Sequence, residues 1–277
     1  MSSASALATA RPGQAVGLHP TLKRRSGEVF ACDDELTVEE PLEIHVDAMP
    51  YAVTMRTPGD DLALVAGFCL GEGLARHAGD LLRLEHCPAG HDRVLVDLHP
   101  QARTRAPGSR ARRDFVARSS CGLCGKQKMD DIHADLPPVP PGGSLPMDAL
   151  LRLEADFRTR RPVFARTGST HQAAVYDRHG ACLAAAEDVG RHNALDKAAG
   201  RVLLDGTRER AFAVLVSSRL SFEMVLKAVA LGARVLAGVS AATTLAVDFA
   251  QARNLTLVGF LRPGGMNVYT HRERVAP

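Results

Sequence analysis

The sequence predicts an α/β protein with an α+β segment in front, and three observations carry that reading. Strand-period and helix-period stretches alternate through the second half of the chain. With 277 residues, 45% of them hydrophobic, the chain can bury a large core without a metal or disulfide staple. Aromatic residues are only 4% and Trp is absent, so that core is aliphatic, built on Ala, Val and Leu.

The elements follow in order. Residues 1–17 open with MSSASALATARPGQ, which lacks the basic start and apolar stretch of a secretory signal and reads as a disordered tail of small residues. In ELTVEEPLEIHVDAMPYAVTM (35–55), Leu42, Ile44 and Val46 alternate, and a break near Ala48–Pro50 predicts a hairpin. DDLALVAGFCLGEGL (60–74) reads as a buried helix through Leu64, Val65, Phe68 and Leu70, with Asp60 or Asp61 as its N-cap. RVLVDL (93–98) is a strand. HPQARTRAPGSRARR (99–113) is a loop by its Pro, Gly and Arg content, and the boundary between an α+β domain (18–115) and a second domain (116–277) is expected there. DLPPVPPGGSLP (135–146) is a stiff spacer.

From Met147 the α/β pattern begins. MDALLRLEADFRTR is helical, AAVYD and CLAAAED are paired strands, and HNALDKAAGRVLLDG is a helix. AFAVLVS (211–217) is a fully apolar strand. In SFEMVLKAVALG, Phe222, Val225, Leu226 and Val229 fall at i, i+3, i+4 and i+7 of a helix. RVLAGVS is a strand, TTLAVDFAQAR a helix and LTLVGFL the last strand. This order predicts a sheet covered by helices on both faces and parallel in this half. No internal repeat is present.

Charge and cysteine content narrow the function. Net charge is +3, but residues 100–128 hold eight Arg or Lys against the single Asp114, a surface suited to an acidic partner or a phosphorylated ligand. Nucleic acid fits poorly, because no series of aromatics interleaves with those basic residues and no finger, RRM or KH signature occurs. No apolar run reaches the length of a membrane span. Six cysteines are too few for a disulfide scaffold, and without an export signal the expected compartment is the reducing cytosol.

In open α/β sheets, ligands bind beyond the carboxyl ends of the strands, and here those ends are polar. One carries Ser217, Ser218, Arg219 and Ser221 before a helix. The next carries Ser240, Thr243 and Thr244. The last runs into LRPGGMN with Arg262 and a glycine pair. Free N–H groups and the helix dipole make such helix starts anion sites, although capping alone would account for Ser221 and Thr243. EDVGRHNALDK (187–197) packs Glu187, Asp188, Arg191, His192, Asn193, Asp196 and Lys197 into one strand-to-helix turn, where the two acids alone would fit as first-turn residues. GSTHQAA sets His171 beside a glycine turn, as an acid/base group or a ligand reader.

SSCGLCGK (119–126) admits three readings. A zinc site needs about four ligands, or three plus water, and one CxxC supplies two; His86, Cys87 and His91 are in another segment with the wrong spacing. The deaminase pattern H-x-E with P-C-x-x-C fails at His171, while His271-Arg272-Glu273 lies in a charged tail and Ser120 precedes Cys121. A dithiol redox pair would sit near a βαβ start with an aromatic neighbour, which is absent. Sulfur transfer by persulfide needs an accessible thiolate. Gly122 and Gly125 give access, Arg118, Lys126 and Lys128 favour the thiolate, and a helix over roughly 124–134 would add its dipole.

Six segments then identify a resemblance: TPGDDLALVAGFCLGEGL, SSCGLCGK, EDVGRHNALDK, SSRLSFEMVLKA, TTLAV and LTLVGFLRPGGMNVYT, spread over roughly 34–271. The chain resembles the formate dehydrogenase accessory sulfurtransferase family, FdhD. That resemblance implies a cytidine deaminase-like second domain without the zinc chemistry, and a homodimer. It implies sulfur taken from a cysteine desulfurase and delivered to the molybdenum cofactor with two guanine dinucleotide arms, which is cargo rather than a resident cofactor. The finished cofactor then enters formate dehydrogenase. Cys121 would bear the persulfide and Cys124 would be its partner. Phe260, Leu261, Arg262, Pro263, Gly264 and Gly265 match the family's cofactor-binding stretch; Ser217, Arg219, His171 and the turn Arg191, His192 and Asn193 would complete it. The chain departs from the family pattern at Ser169, Gln172, Ser218 and Ala242, all in ligand loops.

Overall fold

A computed structural model of the chain describes residues 13–88, 90, 92–105 and 136–275. Three sheets organise it. The first is a ribbon of β1 (Val16–Arg25) and β2 (Glu28–Thr37), antiparallel in register Leu18↔Glu35 to Arg24↔Val29. Its turn uses Ser26 and Gly27, both at positive φ (50° and 91°), as a two-residue hairpin requires. The sequence pattern does not announce this ribbon, because Pro20 and a run of charges break the apolar alternation of its strands.

The second sheet has order β4-β3-β6-β5: β3 (Glu40–Val46), β4 (Met49–Arg56), β5 (Leu81–His86) and β6 (Arg93–Leu98). The expected hairpin is β3–β4, turning at Asp47 and Ala48. Leu42, Ile44, Val94 and Val96 form its buried face against helix α1 (Asp61–Gly71). Asp60 takes the N-cap position in a left-handed conformation without a cap bond; its carboxylate pairs instead with Arg201. The predicted loop after β6 begins as a short helix, α2 (Pro100–Arg105), which starts on a proline as helices tolerate. Its Arg103 and Arg105 are tied to Asp47 and Asp80, each at 2.6 Å, so this part of the basic stretch is held by the chain's own acids.

The third sheet has order β12-β11-β10-β9-β7-β8 and corrects the parallel expectation. Its strands are β7 (His171–Tyr176), β8 (Cys182–Asp188), β9 (Ala213–Val216), β10 (Val235–Gly238), β11 (Thr256–Arg262) and β12 (Gly265–Val268). β9, β10 and β11 are parallel, whereas β7 runs antiparallel to both β8 and β9 and β12 antiparallel to β11. Short connections explain the mixture: β7–β8 and β11–β12 are hairpins, which only antiparallel strands can use. The last strand is therefore β12.

Both faces of this sheet are covered. Ala173, Val175, Val214, Val216, Leu236 and Leu257 point toward α5 (Arg191–Leu204), α6 (Phe222–Leu231) and α7 (Thr244–Ala252). Their alternates Ala174, Tyr176, Ala213, Leu215, Val235 and Val258 pack under α3 (Met147–Thr159). A short helix, α4 (Pro162–Thr167), links α3 to β7.

The two halves meet through α1 and α5. A Cβ on Gly67 would lie 1.9 Å from the Asp196 carbonyl oxygen, and one on Gly200 1.8 Å from that of Ala63. Backbone touches backbone here, which only glycine allows. No helix among the described residues is long and apolar enough to cross a membrane.

Candidate functional site

Strands β8, β9, β10 and β11 all run the same way, because β7 reverses between β8 and β9. Their carboxyl ends therefore share one edge, and β7 starts there with His171. That edge collects the 188–193 turn, the 217–221 loop, the 240–243 loop and the β11–β12 turn. The N-termini of α5, α6 and α7 open onto it, so three helix dipoles and their unbonded N–H groups face the same side.

Asp188 builds the first of these loops. It is fully buried, 2.7 Å from the Lys197 ammonium, and accepts bonds from the N–H groups of Thr57 (3.1 Å) and Gly190 (2.8 Å) and from Asn193 Nδ2 (3.1 Å). Lys197 Nζ also donates to the Thr57 carbonyl at 2.6 Å. The pair thus pins the Gly190–Arg191 turn to the end of β4. Asn193 also donates to the Met55 carbonyl at 2.7 Å and accepts from Thr54 Oγ1 at 3.2 Å, so its amide is engaged inside the protein. Glu187 accepts from the N–H groups of Val163 (2.9 Å) and Phe164 (2.7 Å) and from Thr170 Oγ1 (2.8 Å), capping α4 and fixing the approach to His171. These two acids are architectural rather than dipole-neutralising first-turn residues.

His171, Ser217, Arg191 and His192 come together. His171 Nδ1 lies 3.4 Å from Ser217 Oγ, which accepts from the Gln172 N–H at 2.9 Å. Burial first, and then the positive charges of Arg191 and His192, hold the His171 imidazole below its ordinary range. His192 Nε2 lies 2.9 Å from the Glu223 carboxylate, and one helical turn on Asp196 meets Lys227 at 2.7 Å, so two polar contacts, the second an ion pair, join α5 and α6. Thr57 and Glu223 are the contributors that the sequence pattern misses. Both lie in quoted segments, Thr57 opening TPGDDLALVAGFCLGEGL and Glu223 within SSRLSFEMVLKA, but their partners Asp188 and His192 are far away in the chain, so no local pattern pairs them.

Further along the edge, Arg219 is exposed, and Ser218 Oγ donates to its carbonyl at 3.0 Å. Thr243 caps α7 by accepting from the Ala246 N–H at 3.3 Å. Ser221 does not cap α6: its Oγ, like Arg191 Nε, is buried with no hydrogen-bond partner among the described residues. Phe260 sits in a β-bulge at φ 50° and is 38% exposed, with its N–H donating to the Ser240 carbonyl at 3.1 Å. Arg262 Nε donates to the Val239 carbonyl at 3.2 Å, and its guanidinium lies 5.8 Å from the Phe260 ring centroid. Leu261 turns into the core, while Pro263 and Gly264 (φ 84°) make the turn that returns the chain at Gly265. The arrangement offers guanidinium groups, hydroxyls and helix N–H groups along one edge, with a strained aromatic at its end. That chemistry suits a polyanionic ligand.

The residues that depart from the family pattern carry structural bonds. Gln172 Nε2 donates to the carbonyls of Phe157 (2.7 Å) and Arg160 (2.9 Å) at the end of α3. Ser169 bonds Thr37 Oγ1 at 2.7 Å, tying the ribbon to this loop. Cys121 and Cys124 lie outside the described residues, as do His91 and the helix expected after the cysteines. Of the other thiols, burial pushes those of Cys69 and Cys182 above their ordinary value. Among the described residues no group of three or more His, Cys, Asp or Glu could hold a metal.

Comparison with known proteins gives the family and the fold. The FdhD/NarQ family model matches residues 37–276. The sulfur carrier protein FdhD of Streptomyces coelicolor is 42% identical over 277 residues, covering 95% of this chain and 97% of that one. That of Mycobacterium tuberculosis is 40% identical over 263 residues, covering 90% and 94%. A crystal structure from Desulfotalea psychrophila, described as a candidate formate dehydrogenase accessory protein, superposes with a TM-score of 0.75 at 23% identity. It covers 95% of this chain and 100% of that one, and so shares the fold. The chain belongs to the FdhD/NarQ family.

Proposed function

We propose that this chain is a cytosolic sulfur carrier that takes sulfur from a cysteine desulfurase and passes it to the molybdenum cofactor destined for formate dehydrogenase. The observation that carries the reading is the single sheet edge on which Arg191, Arg219, Arg262, three helix N-termini and the Phe260–Gly265 turn converge. A cargo with two guanine dinucleotide arms brings the phosphates and flat bases such an edge suits. In this reading the deaminase-like second domain, 116–277, holds the cargo without zinc chemistry, and the chain works as a homodimer.

Sulfur chemistry falls to Cys121. Its thiolate attacks the terminal sulfur of the desulfurase persulfide. A new S–S bond forms as the old one breaks, and the desulfurase thiolate leaves with the electron pair, so no oxidant is consumed. Cys124 supports relay of that sulfur. The neutral His171, held beside Ser217, is suited to accept a proton near the cargo at pH 7.

The test is to incubate the protein with a desulfurase and cysteine, alkylate it, and map the products by peptide mass. A persulfide adduct at Cys121, absent from Cys121→Ala, is the expected result. An unmodified Cys121, or undiminished loading in the variant, would sink the reading.

A further inference from the structure

The β1–β2 ribbon is an appendage whose apolar side chains the described chain leaves uncovered. By the pairing register, Leu18, Pro20, Leu22 and Arg24 share a face with Glu35, Asp33, Ala31 and Val29. On that face Leu18 is 58%, Leu22 72% and Val29 58% exposed. The opposite face exposes Phe30 and Leu36 less and is crossed by the Lys23–Asp34 ion pair at 2.7 Å. Isolated two-stranded ribbons are marginal in water. Among the described residues, its side-chain ties to the rest of the chain are at its base, Arg166 on Glu35 and Thr37 on Thr167 and Ser169.

The edges are poor docking sites. Pro20 removes a donor from β1, and Asp33, Asp34 and Glu35 give β2 a run of like charge. The face is different, because its charges are self-complementary. Arg24 lies toward the tip and Asp33 toward the base, both exposed, and neither is in an ion pair among the described residues.

We propose that this face is where two copies of the chain meet, with the ribbons stacked antiparallel about a two-fold axis near Leu22. The axis sets Leu22 against its counterpart and brings Arg24 alongside the partner subunit's Asp33, twice over, as an isologous contact requires. Leu18 and Val29 flank that centre. The inference rests on the homodimer reading above and adds the surface and its register. A ribbon about 34 Å long presents less than the roughly 800 Å² per partner of a standard interface, so the dimer dissociates on dilution.

Sedimentation equilibrium of the full chain over a concentration series tests this. The wild type is expected as a dimer at high concentration, and Leu22→Asp as a monomer whose dissociation constant is at least tenfold weaker. Charge separates loss of contact from loss of fold. Arg24→Glu alone and Asp33→Lys alone each bring like charges together and are expected to be monomeric. Mixed in equal amounts, they form two correct pairs and recover the dimer. A wild type that stays monomeric at every soluble concentration overturns this interface and the homodimer reading together. A Leu22→Asp chain that dimerises like wild type, or a mixture that stays monomeric, overturns the ribbon interface alone.

Discussion

Asp188 shows how a residue in a functional motif can serve the frame rather than the ligand. Its carboxylate balances Lys197 and holds three further donors in a site closed to water. Asp188→Asn leaves Lys197 buried beside a neutral amide and is expected to cost about 3–5 kcal/mol, read as a lower denaturation midpoint in urea. His171 gives a pH signature. Its folded pKa lies below the unfolded value, so the unfolded chain binds the proton first as pH falls. The stability this residue contributes is present above the unfolded pKa of about 6.5 and is lost as pH falls through the folded value. In His171→Gln that part of the acid-side slope should vanish from the pH dependence of unfolding. The sequence made EDVGRHNALDK legible as a dense polar turn. It did not reveal which of those residues face inward, because Thr54, Met55 and Thr57 sit more than a hundred positions earlier in the chain.

At the scale of elements, most of the helices and strands with clear periodicity stand where the pattern placed them. The differences have physical causes. The β1–β2 ribbon has no buried face to impose alternation, α2 and α4 are too short to show a period, and the β7 reversal is set by hairpin length rather than by composition. The α1–α5 crossing is also hidden, since a glycine in a helix reads as a weakness until its neighbour is known. Gly67 and Gly200 admit no side chain at that crossing. Gly200→Ala is expected to destabilise the protein by about 3 kcal/mol, although the same change on an exposed helix would stabilise it. Thermal unfolding of the two proteins side by side reads the sign directly. An unchanged midpoint would mean that the helices can separate without penalty.

For the whole molecule, four co-directional strands gather loops dispersed over 188–265 onto one edge, and the Asp188–Lys197 pair locks that edge to the N-terminal half. The motifs along the chain already mark those loops; their common edge depends on β7 reversing, which no motif encodes. If the edge holds the cargo's dinucleotide arms, Arg262→Ala should weaken binding of guanosine diphosphate, used as a probe, by about 2 kcal/mol, the worth of a charged hydrogen bond. Titration calorimetry would measure it. The central claim is that the chain transfers sulfur rather than merely holding the cofactor. Its most direct test is formate dehydrogenase activity in cells whose own copy of this chain is replaced by Cys121→Ala, with the variant's abundance matched to wild type. The account predicts that formate oxidation is lost while the dehydrogenase polypeptide is still made; full activity with Cys121→Ala would contradict it.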